Sequence, residues 1–504
     1  MSAGDPSPGQ AVPQTVARGT VLMVLFKLVE RSIGFVSVLI LARLLTPSDF
    51  GLVAMASSVV AMIELMSAFG FDTALIQRSD AKRTHFDTAW TFQVLFGTAS
   101  AALLLALALP AADFYRDPRV SYILPVLALG ALIQGLENIG PVMFRKSLDF
   151  KREFVFLLAK RLVSFAVTIA MALIFRNYWA LVIGTVAGRA ATTLMSYAMH
   201  DYRPRLSLAA SAELFHFTKW LLISNLLGFL QQNADKFILG RTIGARPLGL
   251  YNIANEIAAL PATVLIAPIN RAVYPVYAKL ATDLPALRAQ FLAVYGQIAM
   301  IAVPTSVGIA CAAEPVVRVL LGTQWLESIP LLQLFIVCGL AGALQSNLYS
   351  LIVALGHPKA NTLMSAGMLV LCLPALVVAS LHYGALGAAW VHLAMSVLVL
   401  IPLHVVFFKL TGTSVRGYLG RQWRPALSSA VMGAAMLVCL AVPAVASGPA
   451  VLQLALASVI GAIVYVAGIG SLWWAAGKPQ DSAEASILDR VLPMLARFRA
   501  RRAA

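Results

Sequence analysis

The sequence predicts an all-α integral membrane protein of about 14 transmembrane helices, arranged as two pseudo-symmetric six-helix lobes plus two C-terminal helices. Three observations predict this class. Of the 504 residues, 60% are hydrophobic and only 12% charged, against roughly 45–50% and 25% in soluble domains, so the apolar excess has to face lipid. Apolar runs of about 20 residues, enough to cross a bilayer as helix, recur along the whole chain. The segment Leu41-Ala-Arg-Leu-Leu-Thr-Pro-Ser-Asp-Phe-Gly-Leu52 also returns, without a gap, as Leu239-Gly-Arg-Thr-Ile-Gly-Ala-Arg-Pro-Leu-Gly-Leu250.

The runs lie at roughly 18–44, 51–74, 86–110, 119–144, 154–175, 177–199, 215–241, 249–274, 290–312, 329–355, 360–381, 384–408, 424–446 and 450–475. The pair at 154–199 is separated only by Arg176-Asn177 and so needs a tight turn. Loop charge supports the count. Alternate loops and the two tails hold 23 Lys and Arg residues and the opposite loops hold 7, which puts both termini on the cytoplasmic side. The net charge of +16 follows from that distribution, so nucleic-acid binding is not expected.

No loop is long enough for a soluble domain. Residues 1–17 are rich in Pro and Ser and read as a disordered cytoplasmic tail. The remaining division is an N-lobe over 18–199, a cytoplasmic linker over 200–214, a C-lobe over 215–408, two further spans in 424–475 and a basic amphipathic tail over 477–504. In that tail Ile487, Leu488, Val491, Leu492, Leu495 and Phe498 recur at helical spacing beside several arginines, a pattern that suits a membrane face or a docking surface on the protein.

An internal duplication is a common building plan of transporters, with the substrate site between the repeats. Here six spans separate the copies, so the repeats are parallel. Ionisable groups inside spans cost at least ~2.5–3.5 kcal/mol each and persist where they pair or face water. The first span carries Lys27, Glu30 and Arg31, with Lys27 and Arg31 on one face. The second carries Ser57, Glu64 and Asp72. The seventh carries Asn225, Gln232 and Asp235, and the eighth Asn252, Asn255, Glu256 and Asn270, with Pro261 and Pro268 able to bend it. At the repeat offset Lys27 falls on Asn225, Ser57 on Asn255 and Asp72 on Asn270. This recurrence predicts that helices 1, 2, 7 and 8 line one wet cavity. Salt bridges between helices are the alternative, and Lys160, Arg161 and Arg189 are open to either role, Glu137 being one available partner.

Catalytic and cofactor signals are weak. The four cysteines are scattered in apolar runs, the seven histidines have no carboxylate at metal-ligand spacing, and no phosphate-binding loop is present. No enzyme activity, metal or cofactor is expected.

Several short segments stand in order: Leu41–Val53, Leu75-Ile-Gln-Arg78, Phe144-Arg-Lys-Ser-Leu-Asp-Phe150, Asp235-Lys-Phe-Ile-Leu-Gly-Arg241, Leu248-Gly-Leu-Tyr251 and Leu321-Gly-Thr-Gln-Trp325. Together they resemble the Wzx/WzxC-like polysaccharide flippases of the MOP superfamily, which also holds MATE drug exporters and lipid II flippases. The resemblance is dense from about residue 18 to 330. It implies a bacterial cytoplasmic (inner) membrane protein that carries a polyprenyl-diphosphate-linked oligosaccharide repeat unit to the outer leaflet by alternating access, with membrane lipid, a polysaccharide polymerase and export machinery as partners. Arg31-Ser-Ile-Gly-Phe35 is similar to a first-helix motif of lipid II flippases in which the arginine engages substrate phosphate. Ser37 stands where those proteins carry a second arginine, which argues against lipid II as cargo.

In that reading Lys27 and Arg31 hold phosphate, and Asn225, Gln232, Asn252 and Asn255 bond sugar hydroxyls. Glu30, Glu64, Asp72, Asp235 and Glu256 are candidates for ion coupling or for structural pairing. The competing readings are a MATE-type drug or metabolite exporter and, less well supported, a membrane polysaccharide polymerase or glycosyltransferase, which would need a large loop with catalytic clusters.

Overall fold

The computed structural model describes residues 8–65, 71–78, 80–479 and 483–485. All regular elements among them are helices. In chain order they are α1 Pro8–Leu44, α2 Pro47–Glu64, α3 Phe71–Gln77, α4 Arg83–Ala106, α5 Ala108–Tyr115, α6 Arg119–Gly135, α7 Val142–Lys146, α8 Phe150–Phe175, α9 Trp179–Met199, α10 Ser211–Ile243, α11 Ala245–Ala258, α12 Ala267–Leu280, α13 Leu284–Cys311, α14 Ala313–Leu320, α15 Ile329–Ala354, α16 Pro358–Thr411, α17 Val415–Leu419, α18 Trp423–Ala441, α19 Pro443–Ala446 and α20 Ala450–Ala475. Eight of the described helical stretches are long and apolar enough to cross a membrane.

Several boundaries differ from the sequence expectation. Helix α1 begins at Pro8, so residues 8–17 are helical rather than a disordered tail; proline at the first helical position loses no hydrogen bond. The fourth run stops being helical at Gly135, ahead of the Asn138 turn and Pro141. The amphipathic pattern at 487–498 lies outside the described residues.

The chain divides into two compact units, 1–249 and 250–504. In the first, α4 packs on α6, α8 on α9 and on α1, and α10 on α2. Helix α2 starts with a reciprocal cap. Thr46 accepts from the Asp49 amide, while the Asp49 carboxylate takes the Thr46 backbone N–H at 2.9 Å and hydroxyl at 2.7 Å. Its other oxygen accepts the Tyr178 N–H at 3.0 Å, which ties the α8–α9 turn to the start of α2.

One turn further on, the two copies of the duplicated segment meet. A methyl added at Gly51 would lie 1.7 Å from the Ala245 carbonyl oxygen, and one at Gly249 would lie 1.8 Å from the Pro47 carbonyl oxygen. These two contacts exchange under the repeat offset, so each copy presents a glycine to the other's backbone.

The linker after α9 is strapped to α4. Asp87, 7% exposed, accepts from the Tyr202 hydroxyl at 2.6 Å and the Arg205 amide at 2.9 Å. Thr91 Oγ1 accepts from the Ser207 amide at 2.8 Å and Thr88 Oγ1 from the Ala210 amide at 3.2 Å. His200 Nδ1 accepts from the Tyr202 amide at 3.0 Å. Burial, with help from the Arg152 and Arg203 charges and against Asp201, holds the His200 imidazole below its ordinary range.

In the second unit an aromatic core gathers Tyr277, Phe291, Tyr295, Phe407 and Tyr418. His404 joins it, with Nε2 2.6 Å from the Tyr418 hydroxyl. Helix α16 breaks at Gly384, whose φ of 63° suits glycine, leaving arms of 358–383 and 385–411 that are each long enough to span. Leu363, Val370, Val459 and Val466 stand exposed on α16 and α20, an apolar surface that lipid covers favourably.

Two outcomes test this description. Gly51→Ala and Gly249→Ala each force a methyl into an immobile carbonyl, so each should lower stability by about 3 kcal/mol or more, at or above the top of the overpacking range. Gly342→Ala, with nothing within 4 Å, should be neutral or slightly stabilising; thermal unfolding of purified protein in detergent checks both. For the linker, the lowered His200 basicity means that the undocked form binds more protons. Docking should therefore be intact above about pH 6.5 and weaken as pH falls below it. Amide exchange at Tyr202, Arg205 and Ser207 should show this step, and His200→Gln should remove it.

Candidate functional site

Helix α1 is anchored through Phe26, 4% exposed, which packs edge-on against Phe154 of α8 at 6.2 Å. Lys27 and Arg31, four residues apart and so on one side of the helix, are exposed. Lys27 Nζ reaches Glu30 Oε2 at 2.8 Å, one helical turn away, with 62% of its side chain exposed. A pair this open adds little stability, so it leaves an available ammonium rather than a locked one.

Glu64 ends α2 and meets Arg189 of α9 at 2.7 Å, with 35% of the Glu64 side chain and 19% of Arg189 exposed. The contact is an ion pair off the line of a hydrogen bond: Glu64 Oε1 and Arg189 Nη1 have no hydrogen-bond partner. Arg189 thus pairs with Glu64, where the sequence had offered Glu137.

Glu64 is also on the wall of a cavity of about 680 Å³ inside the first unit. Its polar wall includes Gln93, Gln134, Glu137, Arg145, Glu153 and Lys160, and its apolar wall includes Phe71 and Phe96. Gln93 is fixed by donating to the Gln134 and Glu137 carbonyls at 3.1 and 3.0 Å. Glu153, 5% exposed, is paired with Arg145. Phe71 stacks on Phe92 at 5.4 Å and on Phe96 at 6.4 Å. Three acids, two of them matched by arginines, together with a lysine, amides and an aromatic wall make a mixed lining of the size that small-molecule sites have. Of this lining the sequence had singled out Glu64 for the site and left Lys160 open between a lining and a pairing role. Gln93 and Gln134, polar residues inside apolar runs, were the signal that could have extended it.

The remaining predicted residues fall in separate settings. The side chains of Asp72 and Asn225 lie outside the described ones. Gln232, Asn255 and Glu256 are exposed. Asp235 accepts from the Lys236 amide at 2.9 Å. Asn252 is half-buried with an unpartnered Nδ2. Beyond it the helix opens into a π turn over Pro261–Ile266, where the Ala267 amide reaches back to the Ala262 carbonyl; such turns mark functional helices more often than plain ones. Asn270 is bound into a closed amide network, donating to Ser346 at 2.6 Å and accepting from Asn347 at 3.0 Å, with Tyr277 donating to Asn347 at 3.2 Å.

The model of the family described as "Polysaccharide biosynthesis protein" matches residues 40–330, more than half of the chain. The chain belongs to the polysaccharide biosynthesis protein family. Among curated relatives, the lipopolysaccharide biosynthesis protein WzxC of Escherichia coli (strain K12) is 26% identical over 78% of this chain and 81% of its own length. The teichuronic acid biosynthesis protein TuaB of Bacillus subtilis (strain 168) is 24% identical over 73% and 77%. Among solved structures, an inward closed lipid II flippase MurJ matches with a TM-score of 0.72 at 12% identity, covering 90% of this chain and 99% of its own. An inward-facing MATE multidrug transporter of the MOP superfamily matches with a TM-score of 0.60 at 14% identity, covering 79% and 100%. At such identities these two establish a shared fold alone.

The Glu64–Arg189 pair gives a direct test of its own. Its partial burial puts it between an exposed pair and a buried one, so a double-mutant cycle with Glu64→Gln and Arg189→Gln should give a coupling of about 1–2 kcal/mol. Thermal unfolding of the four proteins measures it.

Proposed function

We propose that this protein is a flippase that moves polyprenyl-diphosphate-linked oligosaccharide repeat units across the bacterial cytoplasmic membrane, for exopolysaccharide, O-antigen or capsule synthesis. The observation that carries the reading is the exposed Lys27 and Arg31 face of α1 in an otherwise apolar span of a polysaccharide biosynthesis family member. A diphosphate headgroup is anionic, large and unable to enter hydrocarbon unaided. Cations on a wet helix face can hold it while its polyprenyl tail stays in lipid, and arginine adds a two-pronged hydrogen bond to phosphate.

The saccharide needs hydrogen-bonding groups without strong net charge. Gln232, Asn252, Asn255 and Asn225 are assigned to it, together with Gln93 and Gln134 of the 680 Å³ cavity. An organic-cation exporter would need acids left uncompensated. Here two of the three acids on the cavity wall, Glu64 and Glu153, are matched by Arg189 and Arg145, and Lys160 stands on the same wall, which favours the flippase.

In the cycle we infer, fourteen crossings with both termini cytoplasmic form two six-helix lobes and a C-terminal helix pair. The π turn after Asn252 and Asn255 supplies the flexing point for alternating access. Asp72, Asp235, Glu256, Glu30 and Glu64 are the candidates for ion coupling. Polymerase and export proteins take the product on the far side.

Arg31→Ala should abolish polymer export while leaving insertion and fold intact, and Arg31→Lys should retain a part. The measurement is the leaflet distribution of the glycolipid in a deletion strain carrying each variant. Normal outer-leaflet delivery by Arg31→Ala would overturn the assignment.

A further inference from the structure

At the start of α18, Arg424 is 6% exposed. Its only counter-ion among the described contacts is Glu484, Nε to Oε1 at 3.1 Å, itself 7% exposed. The pair is not aligned as a hydrogen bond, and Nε and Nη1 of the guanidinium have no acceptor. One turn along the same helix the hydroxyls of Ser428 and Ser429 are likewise buried without a partner. A buried guanidinium with unmet donors is costly, and a single poorly aligned carboxylate offsets little of that cost.

Arg424 lines a cavity of about 340 Å³ inside the second unit, walled by Gly296, Gly417, Gly420, Arg421, Trp423 and Glu484. Two arginines therefore share one small chamber. The chamber sits at a span end, where Lys409, Arg416, Arg421 and Arg424 follow one another in sequence. Trp423 is 46% exposed beside it, in the position that interfacial tryptophans take.

We infer that this chamber is a phosphate-anion site of the second unit, separate from the residues assigned to transport, and that a phosphodiester headgroup of an anionic membrane lipid fills it. Phosphate oxygens match the geometry of a guanidinium fork and can take the donors that Glu484 leaves unmet. A basic pocket at the end of a helix bundle is where anionic headgroups are held. Glu484 is then an internal competitor: its carboxylate holds Arg424 when no phosphate is bound and is displaced when one binds. Free orthophosphate has the same chemistry, and the choice of probes separates the two.

The test is native mass spectrometry of the full-length protein in detergent, titrated separately with phosphatidylglycerol, phosphatidylcholine and orthophosphate. Phosphatidylglycerol should be retained about tenfold more strongly than phosphatidylcholine, which offers the same phosphodiester but brings a choline ammonium up against Arg421 and Arg424. Arg424→Gln should remove that preference and Arg421→Gln should reduce it. Because Arg424 is buried, Glu484→Gln is the second arm: it keeps an acceptor beside Arg424, removes the competing charge and should raise phosphatidylglycerol retention several-fold. Orthophosphate binding with the same dependence on Arg424, without a lipid preference, supports the phosphate site and identifies free phosphate as its source. Equal retention of both lipids with no orthophosphate bound, or a lower phosphatidylglycerol retention in Glu484→Gln, overturns the inference.

Discussion

The structure of the first unit depends on one backbone-to-backbone contact, the meeting of the duplicated segments at Gly51 and Gly249. Carbonyl oxygens of Pro47 and Ala245 occupy the volume where each glycine's side chain would stand. Glycine costs a helix about 1 kcal/mol relative to alanine, so its presence at the same place in both copies is a cost offset by close packing. The contact is made without side chains. It therefore fixes the separation of α2 and the start of α11 more tightly than interdigitated leucines would, since side chains can repack and a main chain cannot. The two copies reach it by different local means. Thr46 and Asp49 cap the first with side chains, whereas Gly244, at φ 81°, precedes the helix in the second.

That contact sets where the polar groups of α2 and α10 come to lie. Glu64 leaves the far end of α2 toward Arg189, and the same helix is tied at its other end to the α8–α9 turn through Asp49 and Tyr178. The ion pair and the capping box thus position α2 from both ends. Tyr115, 3% exposed, adds a third tie, its hydroxyl 2.8 Å from Ser58 midway along α2.

The all-helical membrane class was legible in the sequence for a physical reason. Apolar span length and the repeat are one-dimensional signals, set by bilayer thickness or ancestry, and neither requires knowledge of packing. The Lys27–Glu30 pair was legible because one helical turn fixes it. The Glu64–Arg189 pair was not, since its partners are brought together by helix packing alone. Asn270 shows the opposite limit. The repeat offset grouped it with Asp72 as a cavity-lining position, yet the structure binds its amide to Ser346 and Asn347. Periodicity finds which residues are polar inside a span, but it does not separate a satisfied polar group from an available one.

That separation is what sorts the charges of this chain by role. Where an acid and a base come from different helices and the acid is buried, as with Glu153 and the half-exposed Arg145, the pair ties the helices together, and removing the arginine leaves a stranded carboxylate. Where bases stand exposed on a helix, as Lys27 and Arg31 of α1 do, packing leaves them open to their surroundings, and inside a membrane such a position is tolerable only beside water or an anion. The polyprenyl diphosphate of the proposed function would provide both conditions at once, since its headgroup carries negative charge and its sugars carry hydration. Under the proposed function the exposed cations of α1 are stabilised most when such a headgroup is bound, which would couple binding to the state of α1 rather than to the stability of the bundle.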